Sequence, residues 1–299
     1  KKRRTLALRA RIVGELRRFF AARDYLEIET PCLIPAPAPE FHIDTLACEG
    51  WFLQPSPELC MKRLLAAGYD RIFQICRCFR KGERGARHLP EFTMLEWYRR
   101  EADYRDLMTE CEDLLIEAAA ALGYGDVVTY QGEPLRLGKP WERLTVAEAF
   151  ARFAPLPVAE ALAGDCFDEL LAIHVEPRLG RGRPTFLCDY PLPLASLARG
   201  KRGEAAVAER CELYIAGIEL ANAFTELAEE REQRRRFARE EEARRRAGKP
   251  HYPSPDKFLE SLTDLGDAAG IALGVDRLVM ILADAPDIDA VTAFTPETL

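Results

Sequence analysis

The chain has 299 residues and carries 42 Lys and Arg against 49 Asp and Glu, a formal net charge of −7 at pH 7. A protein that grips a phosphate backbone usually shows a basic stripe, and here the basic runs are local: Lys1 to Arg4 and the mixed-charge stretch Glu229 to Lys249. The 48% apolar content is ordinary, no stretch approaches the ~20 apolar residues of a membrane span, no signal-peptide pattern opens the sequence, and nine cysteines without Cys-x-x-Cys pairs argue for reduced thiols in a cytoplasm. Helix signals fall at Thr5 to Ala22, Pro57 to Ala67, Tyr104 to Leu122, Val146 to Phe153 and Ser254 to Leu262. Glu229 to Lys249 reads as a charged helix, by default a solvated one. Strands cluster between them, so the prediction is one α+β domain over 1–299, a mostly antiparallel sheet flanked by helices. The segment 155–193, rich in Pro and Gly at both ends, reads as an insertion, and Cys188 to Arg202 as a strand leading into a basic loop.

The richest run is FRKGERGARHLPEFTMLEWY, Phe79 to Tyr98. Arg71 to Phe79 mixes β-branched, aromatic and thiol residues as a strand does. Glu91 to Tyr98 alternates with period two, which puts Glu91, Thr93, Leu95 and Trp97 on one face and Phe92, Met94, Glu96 and Tyr98 on the other. The turn between them, dense in Arg, Lys and Gly, is either a clamp for a polyanion or an ordinary solvated loop. Cys76 and Cys78 alternate within the first strand and read as small core residues. Near the end, GIALGVDRLVMIL (Gly270 to Leu282) runs from small residues through Asp276 and Arg277 into an apolar helix pattern.

Together these two runs resemble motifs 2 and 3 of class II aminoacyl-tRNA synthetases, and Thr5 to Pro31 resembles motif 1, a helix and strand ending in Pro that builds a homodimer interface. Motif 2 spans about 71–98, motif 1 about 5–31 and motif 3 about 270–282. The resemblance covers nearly the whole chain and implies ATP and Mg²⁺ as cofactors. It implies Arg80 on the ATP α-phosphate and Arg277 on the γ-phosphate as catalytic groups. It also implies Phe92 stacked on adenine, the Leu89 backbone reading the base edge, and Lys81, Gly82, Glu83, Leu220 and Gly274 around the nucleotide. Glu212 and Glu219 would hold Mg²⁺, a hard cation that needs only two carboxylates beside phosphate oxygens and water.

RHLPEFTMLEWY and GIELANAFTEL are close to their counterparts in the lysyl branch. The resemblance then gives Glu58, with Ser56 and Pro57, to the amino group nearer the substrate carboxyl, and Glu96, Tyr98 and Glu226 to a distal ammonium, with Asn222, Phe224 and Ala272 beside them. Each Glu taken singly reads as a solvated surface charge; their joint placement in matching motifs points the other way. Burying a substrate ammonium requires carboxylates. Ser56 is also a good helix N-cap with Pro57 at the first position.

Several details favour the stand-alone lysyl-synthetase paralogues over tRNA-charging enzymes. The sequence given starts at the motif 1 helix, with no N-terminal anticodon-binding barrel. Ser56 stands for the usual Ala, Trp97 for Phe and Ala272 for Gly. Such paralogues imply (R)-β-lysine or lysine as substrate, a lysine of elongation factor P as acceptor, and no tRNA or membrane partner; tRNA charging with lysine is the alternative. The sequence departs from the family at Lys81-Gly82-Glu83, where Asn-Glu is usual, at Leu89 for Asn and at Ala223 for Gly. Gly82 would let the backbone rearrange to present Glu83.

Overall fold

The computed structural model describes residues 2–299. Its helices are α1 (Lys2–Ala21), α2 (Glu58–Ala66), α3 (Tyr104–Ala121), α4 (Val146–Phe153), α5 (Val158–Ala163), α6 (Phe167–Leu170), α7 (Glu230–Arg246), α8 (Asp256–Ser261) and α9 (Val275–Leu282). Its first strands are β1 (Leu26–Glu27), β2 (Leu33–Ile34), β3 (Ala47–Cys48), β4 (Trp51–Leu53), β5 (Arg71–Phe79) and β6 (Glu91–Arg100). Then follow β7 (Val127–Tyr130), β8 (Glu133–Arg136), β9 (Glu142–Thr145), β10 (Thr185–Pro191), β11 (Val207–Ile215), β12 (Ile218–Thr225) and β13 (Ala268–Gly274). Eight of them form one sheet in the order β1-β5-β6-β13-β12-β11-β10-β9, parallel only at its two ends, β1 with β5 and β9 with β10. This is the α+β architecture read from the sequence.

The alternation in Glu91–Arg100 decides what each sheet face does. Leu95 and Trp97 point into the main core, where Phe20 of α1 stacks on Phe73 at 4.7 Å and meets Trp97 at 5.1 Å. Helix α1 fits there because Ile12, Leu16, Phe19 and Phe20 fall on one stripe and are all buried. Helix α3 starts sharply because the Asp103 carboxylate accepts from the Arg105 and Asp106 N–H groups. Its Leu107, Cys111, Leu114 and Leu115 join the same core.

A buried polar knot ties α1, β6 and α9 together. Arg9 donates to Asp276 Oδ1 (2.5 Å) and Thr93 Oγ1 (2.7 Å), and the Thr93 N–H donates to Asp276 Oδ2 (2.6 Å). Breaking one member would leave a buried charge unmatched.

Three expectations need correcting. Thr185–Pro191 is a full member of the sheet between β9 and β11, so the segment outside the sheet ends near 184 rather than 193. The helix expected from Ser254 begins at Asp256, since the residue before Pro255 is steered away from helical backbone. Helix α7 is solvated on one side only: Gln233, Phe237 and Arg244 are buried. Arg244 donates to the carbonyls of Glu40 (2.9 Å), Ile43 (3.1 Å) and Pro250 (3.2 Å) and to the Asp44 carboxylate (3.0 Å). Among the described residues no helix is long and apolar enough to cross a membrane.

Candidate active site

The other face of the sheet floors a cavity of about 1030 Å³. Its floor follows from strand register, because residues paired across antiparallel strands project to the same side. One row runs Gln74, Glu96, Ala272, Asn222, Glu212; the next runs Ile72, Tyr98, Gly270, Phe224, Arg210. Five strands thus deliver their side chains in two lines. Gly270 is required: a Cβ there would lie 2.2 Å from the Tyr98 ring.

A β-bulge sets Glu219. Glu212 pairs with Asn222 and Leu213 with Ala221, but Tyr214 pairs with Glu219, so Leu220 is the extra residue. Regular alternation would put Glu219 and Asn222 on opposite faces. The bulge returns Glu219 to the cavity side.

At the carboxylate end, Glu96 accepts from Ser56 Oγ (2.6 Å) and Tyr98 Oη (2.7 Å). Ser56 also accepts from the Glu58 N–H (3.0 Å), but the helix starts at Glu58 with Pro57 in the cap position, so Ser56 stands one place outside the cap expected of it. Burial and then the Glu58 charge raise the Glu96 carboxyl to about 7. Behind this wall lies Lys62, whose Nζ is 2.5 Å from Glu58 Oε1 and 2.5 Å from Glu226 Oε2. Burial disfavours the Lys62 charge, yet Glu226 and Glu58 outweigh it and hold the ammonium above its ordinary range. Glu226 is fully enclosed, its Oε1 has no hydrogen-bond partner, and burial lifts it to about 8 against the pull of Lys62.

At the other end, Arg80 packs over the Phe92 ring at 5.2 Å and lies 3.8 Å from Glu83. Gly82 has φ +79°, which turns the chain so that Glu83 faces Arg80. Arg277 donates to the Glu219 carbonyl (2.7 Å) and carboxylate (3.3 Å). It also lies 2.7 Å from His88 Nε2; burial and then Arg277 lower the His88 pKa, so the neutral ring accepts there. Glu212 is held by Arg210 (2.6 Å), Tyr190 (2.5 Å) and Tyr214 (2.7 Å).

The cavity therefore gathers Arg80, Glu83, Leu89, Phe92, Glu212, Glu219, Leu220, Gly274 and Arg277 with Ser56, Glu58, Glu96, Tyr98, Asn222, Phe224 and Ala272. Pro57, Lys81, Gly82 and Glu226 do not line it. Lys81 and Gly82 are exposed, the Lys81 N–H bonding the Asp44 carbonyl at 2.7 Å, and Glu226 sits one layer deeper, engaged by Lys62. The basic loop after β10 contributes Pro193 to Leu197 to the lining, while its Arg199 and Lys201 are paired with acids. Sequence reading missed Lys62, Arg210, Tyr190 and Glu176, the last lining the cavity from the insertion. The spacing Glu58 to Lys62, one helical turn on a half-apolar helix, is the signal that was there to find.

As to a divalent cation, Glu212 and Glu219 offer hard oxygen ligands on one cavity face, and Glu219 is only partly engaged, which fits Mg²⁺. Among the described residues no group of three or more acidic, His or Cys side chains stands close enough to hold an ion unaided. Such a cation would need further oxygens from a ligand.

A mostly antiparallel sheet with buried carboxylates on one face, and two arginines brought to the same cavity by the β5–β6 turn and helix α9, is the catalytic core of a class II synthetase-type ligase. The model of class II tRNA synthetases (D, K and N) matches residues 1–298, and the chain belongs to this family. It is 41% identical, over 97% of its length and 94% of the relative's, to the elongation factor P–(R)-beta-lysine ligase of Salmonella gallinarum (strain 287/91 / NCTC 13346). The proteins of the same name from Enterobacter sp. (strain 638) and Salmonella paratyphi B (strain ATCC BAA-1250 / SPB7) are 40% identical with the same coverage.

Proposed function

We propose that this chain is an ATP-dependent ligase that activates (R)-β-lysine as an acyl-adenylate and transfers it to the ε-amino group of a lysine on elongation factor P. The observation that carries this reading is the in-register floor, with carboxylates for ammonium groups at one end and Arg80 and Arg277 at the other. The names of relatives matched over nearly their whole length support the acceptor.

The chemistry suits the residues. The substrate carboxylate attacks the α-phosphorus and pyrophosphate leaves, so two anions must approach, and charge neutralisation with positioning is the main contribution. Arg80 takes up charge on the α-phosphate, and Arg277 orients the departing pyrophosphate. Glu212 and Glu219 would hold Mg²⁺, which when bound would add to the neutralisation of the phosphates. Phe92 supports adenine, with Leu89 at the base edge. Glu58 receives the proximal amino group. Glu96, fixed by Ser56 and Tyr98, receives the distal one. Glu226 acts from behind, through Lys62. Ala272, in register with both Glu96 and Asn222, puts a methyl on the floor between the two polar ends. Exposed Leu26, Leu33 and Trp51, on the short strands after α1, support dimerisation through motif 1. Action in the cytoplasm, where the acceptor works, follows from the same reading.

Mass spectrometry of elongation factor P after incubation with the enzyme, ATP and (R)-β-lysine tests the proposal. A mass gain of one β-lysyl group is expected. An unmodified protein together with charging of tRNA by lysine would overturn it.

A further inference from the structure

Among the carboxylates lining the cavity is a part-buried one, Glu40, that the sequence did not point to and that has no hydrogen bond or ion pair among the described residues. Glu40 stands on the loop Pro35 to Asp44, stiffened by Pro35, Pro37 and Pro39. Helix α7 clamps this loop on both sides of Glu40. Arg244 donates to its carbonyl at 2.9 Å, and the next N–H, that of Phe41, donates to Glu240 Oε2 at 2.9 Å. The backbone is thus fixed while the side chain lines the cavity without a hydrogen bond or ion pair of its own.

Its surroundings say what it faces. Glu58 and Glu240 act on it as like charges, and Arg80 and Arg210 as opposite ones. It therefore shares the cavity, within electrostatic reach, with the carboxylate assigned to the proximal amino group and the arginine assigned to the α-phosphate. An ammonium has three N–H donors. Glu58 already gives Oε1 to Lys62 at 2.5 Å, so part of its charge and acceptor capacity is taken before a substrate ammonium arrives. A second carboxylate would share the load, and Glu40 lines the same cavity with no partner of its own.

We infer that Glu40 and Glu58 together receive the amino group nearer the substrate carboxyl, making Glu40 a specificity determinant for diamino acids. This rests on the adenylation reading above. Burial and then the Glu58 charge lift the Glu40 carboxyl to about 7, the state expected of an acceptor waiting for a cation.

The test is pyrophosphate exchange by Glu40→Gln, with 6-aminohexanoate as the probe. That acid keeps the carboxyl and the distal ammonium and lacks the proximal one. The KM for (R)-β-lysine is expected to rise about tenfold, since a charge-assisted bond is lost. The KM for ATP and the inhibition constant of 6-aminohexanoate should stay within about twofold, with Glu40→Asp lying between wild type and Glu40→Gln. An unchanged KM for β-lysine, or equal losses for β-lysine and 6-aminohexanoate, overturns the inference. Wild-type exchange with a diamino acid checks the underlying activity by itself: its absence overturns both readings, whereas active wild type with an unaltered variant overturns only this one.

Discussion

Lys62 places its buried ammonium 2.5 Å from Glu226, so a carboxylate that the sequence assigns to the substrate is already matched by a lysine of the protein itself. The same ammonium holds Glu58 at 2.5 Å and lies 4.8 Å above the Phe224 ring. Lys62 thereby couples a cavity wall to the layer beneath.

Lys62→Met should strip Glu58 and Glu226 of their counter-charge. Removing one partner of a buried pair costs about 3–5 kcal/mol. The Lys62→Met, Glu226→Gln double variant should recover part of that, because the fully enclosed Glu226 no longer needs a counter-charge while Glu58, which lines the cavity, stays unmatched. Denaturant unfolding of the three proteins measures it; a single variant as stable as wild type would show that Lys62 carries no such charge.

The amino acid should bind better as pH rises from 6 to 8. Glu96 and Glu226 sit at about 7 and about 8, above the range of an unfolded carboxyl, so the empty protein keeps them partly protonated. A group raised on folding contributes stability at low pH that is lost as pH climbs through its folded value. The empty protein is therefore expected to melt at progressively lower temperature across that interval. A dicationic ligand favours the ionised carboxylates, so its KM falls as they deprotonate, by up to about tenfold per unit for each proton released. Exchange kinetics and melting curves at pH 6, 7 and 8 check both signs, and a flat KM profile would contradict the linkage.

Arg277→Ala should abolish detectable exchange, a loss of about 10²–10³ or more, as expected when a preorganised charge at the reacting phosphates is removed. Arg277→Lys should rescue little, because a point charge cannot reach the Glu219 carbonyl and His88 at once. Wild-type exchange in Arg277→Ala would remove it from the site.

Ala272→Gly should relax discrimination between the β- and α-amino substrates. One methyl at a pocket wall is worth about 1–3 kcal/mol, so the ratio of kcat/KM for the two lysines should move by about 10- to 200-fold toward the α form. An unaltered ratio would place the determinant elsewhere.

Much of the site was legible because period-two alternation is a local property. Phe92, Met94, Glu96 and Tyr98 could be put on one face from sequence alone, and they line the cavity. Residues whose role depends on depth were not legible. Glu226 reads like Glu96 in the chain, yet one lines the cavity and the other lies under Tyr98 and Gly270. Arg244 sits among solvated arginines of α7 and differs from Arg245 only by facing the Glu40 loop. Such distinctions come from which element packs on top.

The extra residue at Leu220 makes the β11–β12 hairpin a counting device. Its turn is two residues, Ala216 and Gly217, both at positive φ, so slack cannot be absorbed there without altering the turn. Removing one residue between Glu212 and Glu219 would restore an uninterrupted ladder, which by strand energetics alone is no worse a hairpin. It would also deliver the acid to the wrong side of the sheet. Selection on catalysis and selection on folding therefore pull this segment in different directions, and deleting a residue between Glu212 and Glu219, such as Ile218, should yield a protein that is well folded and inert.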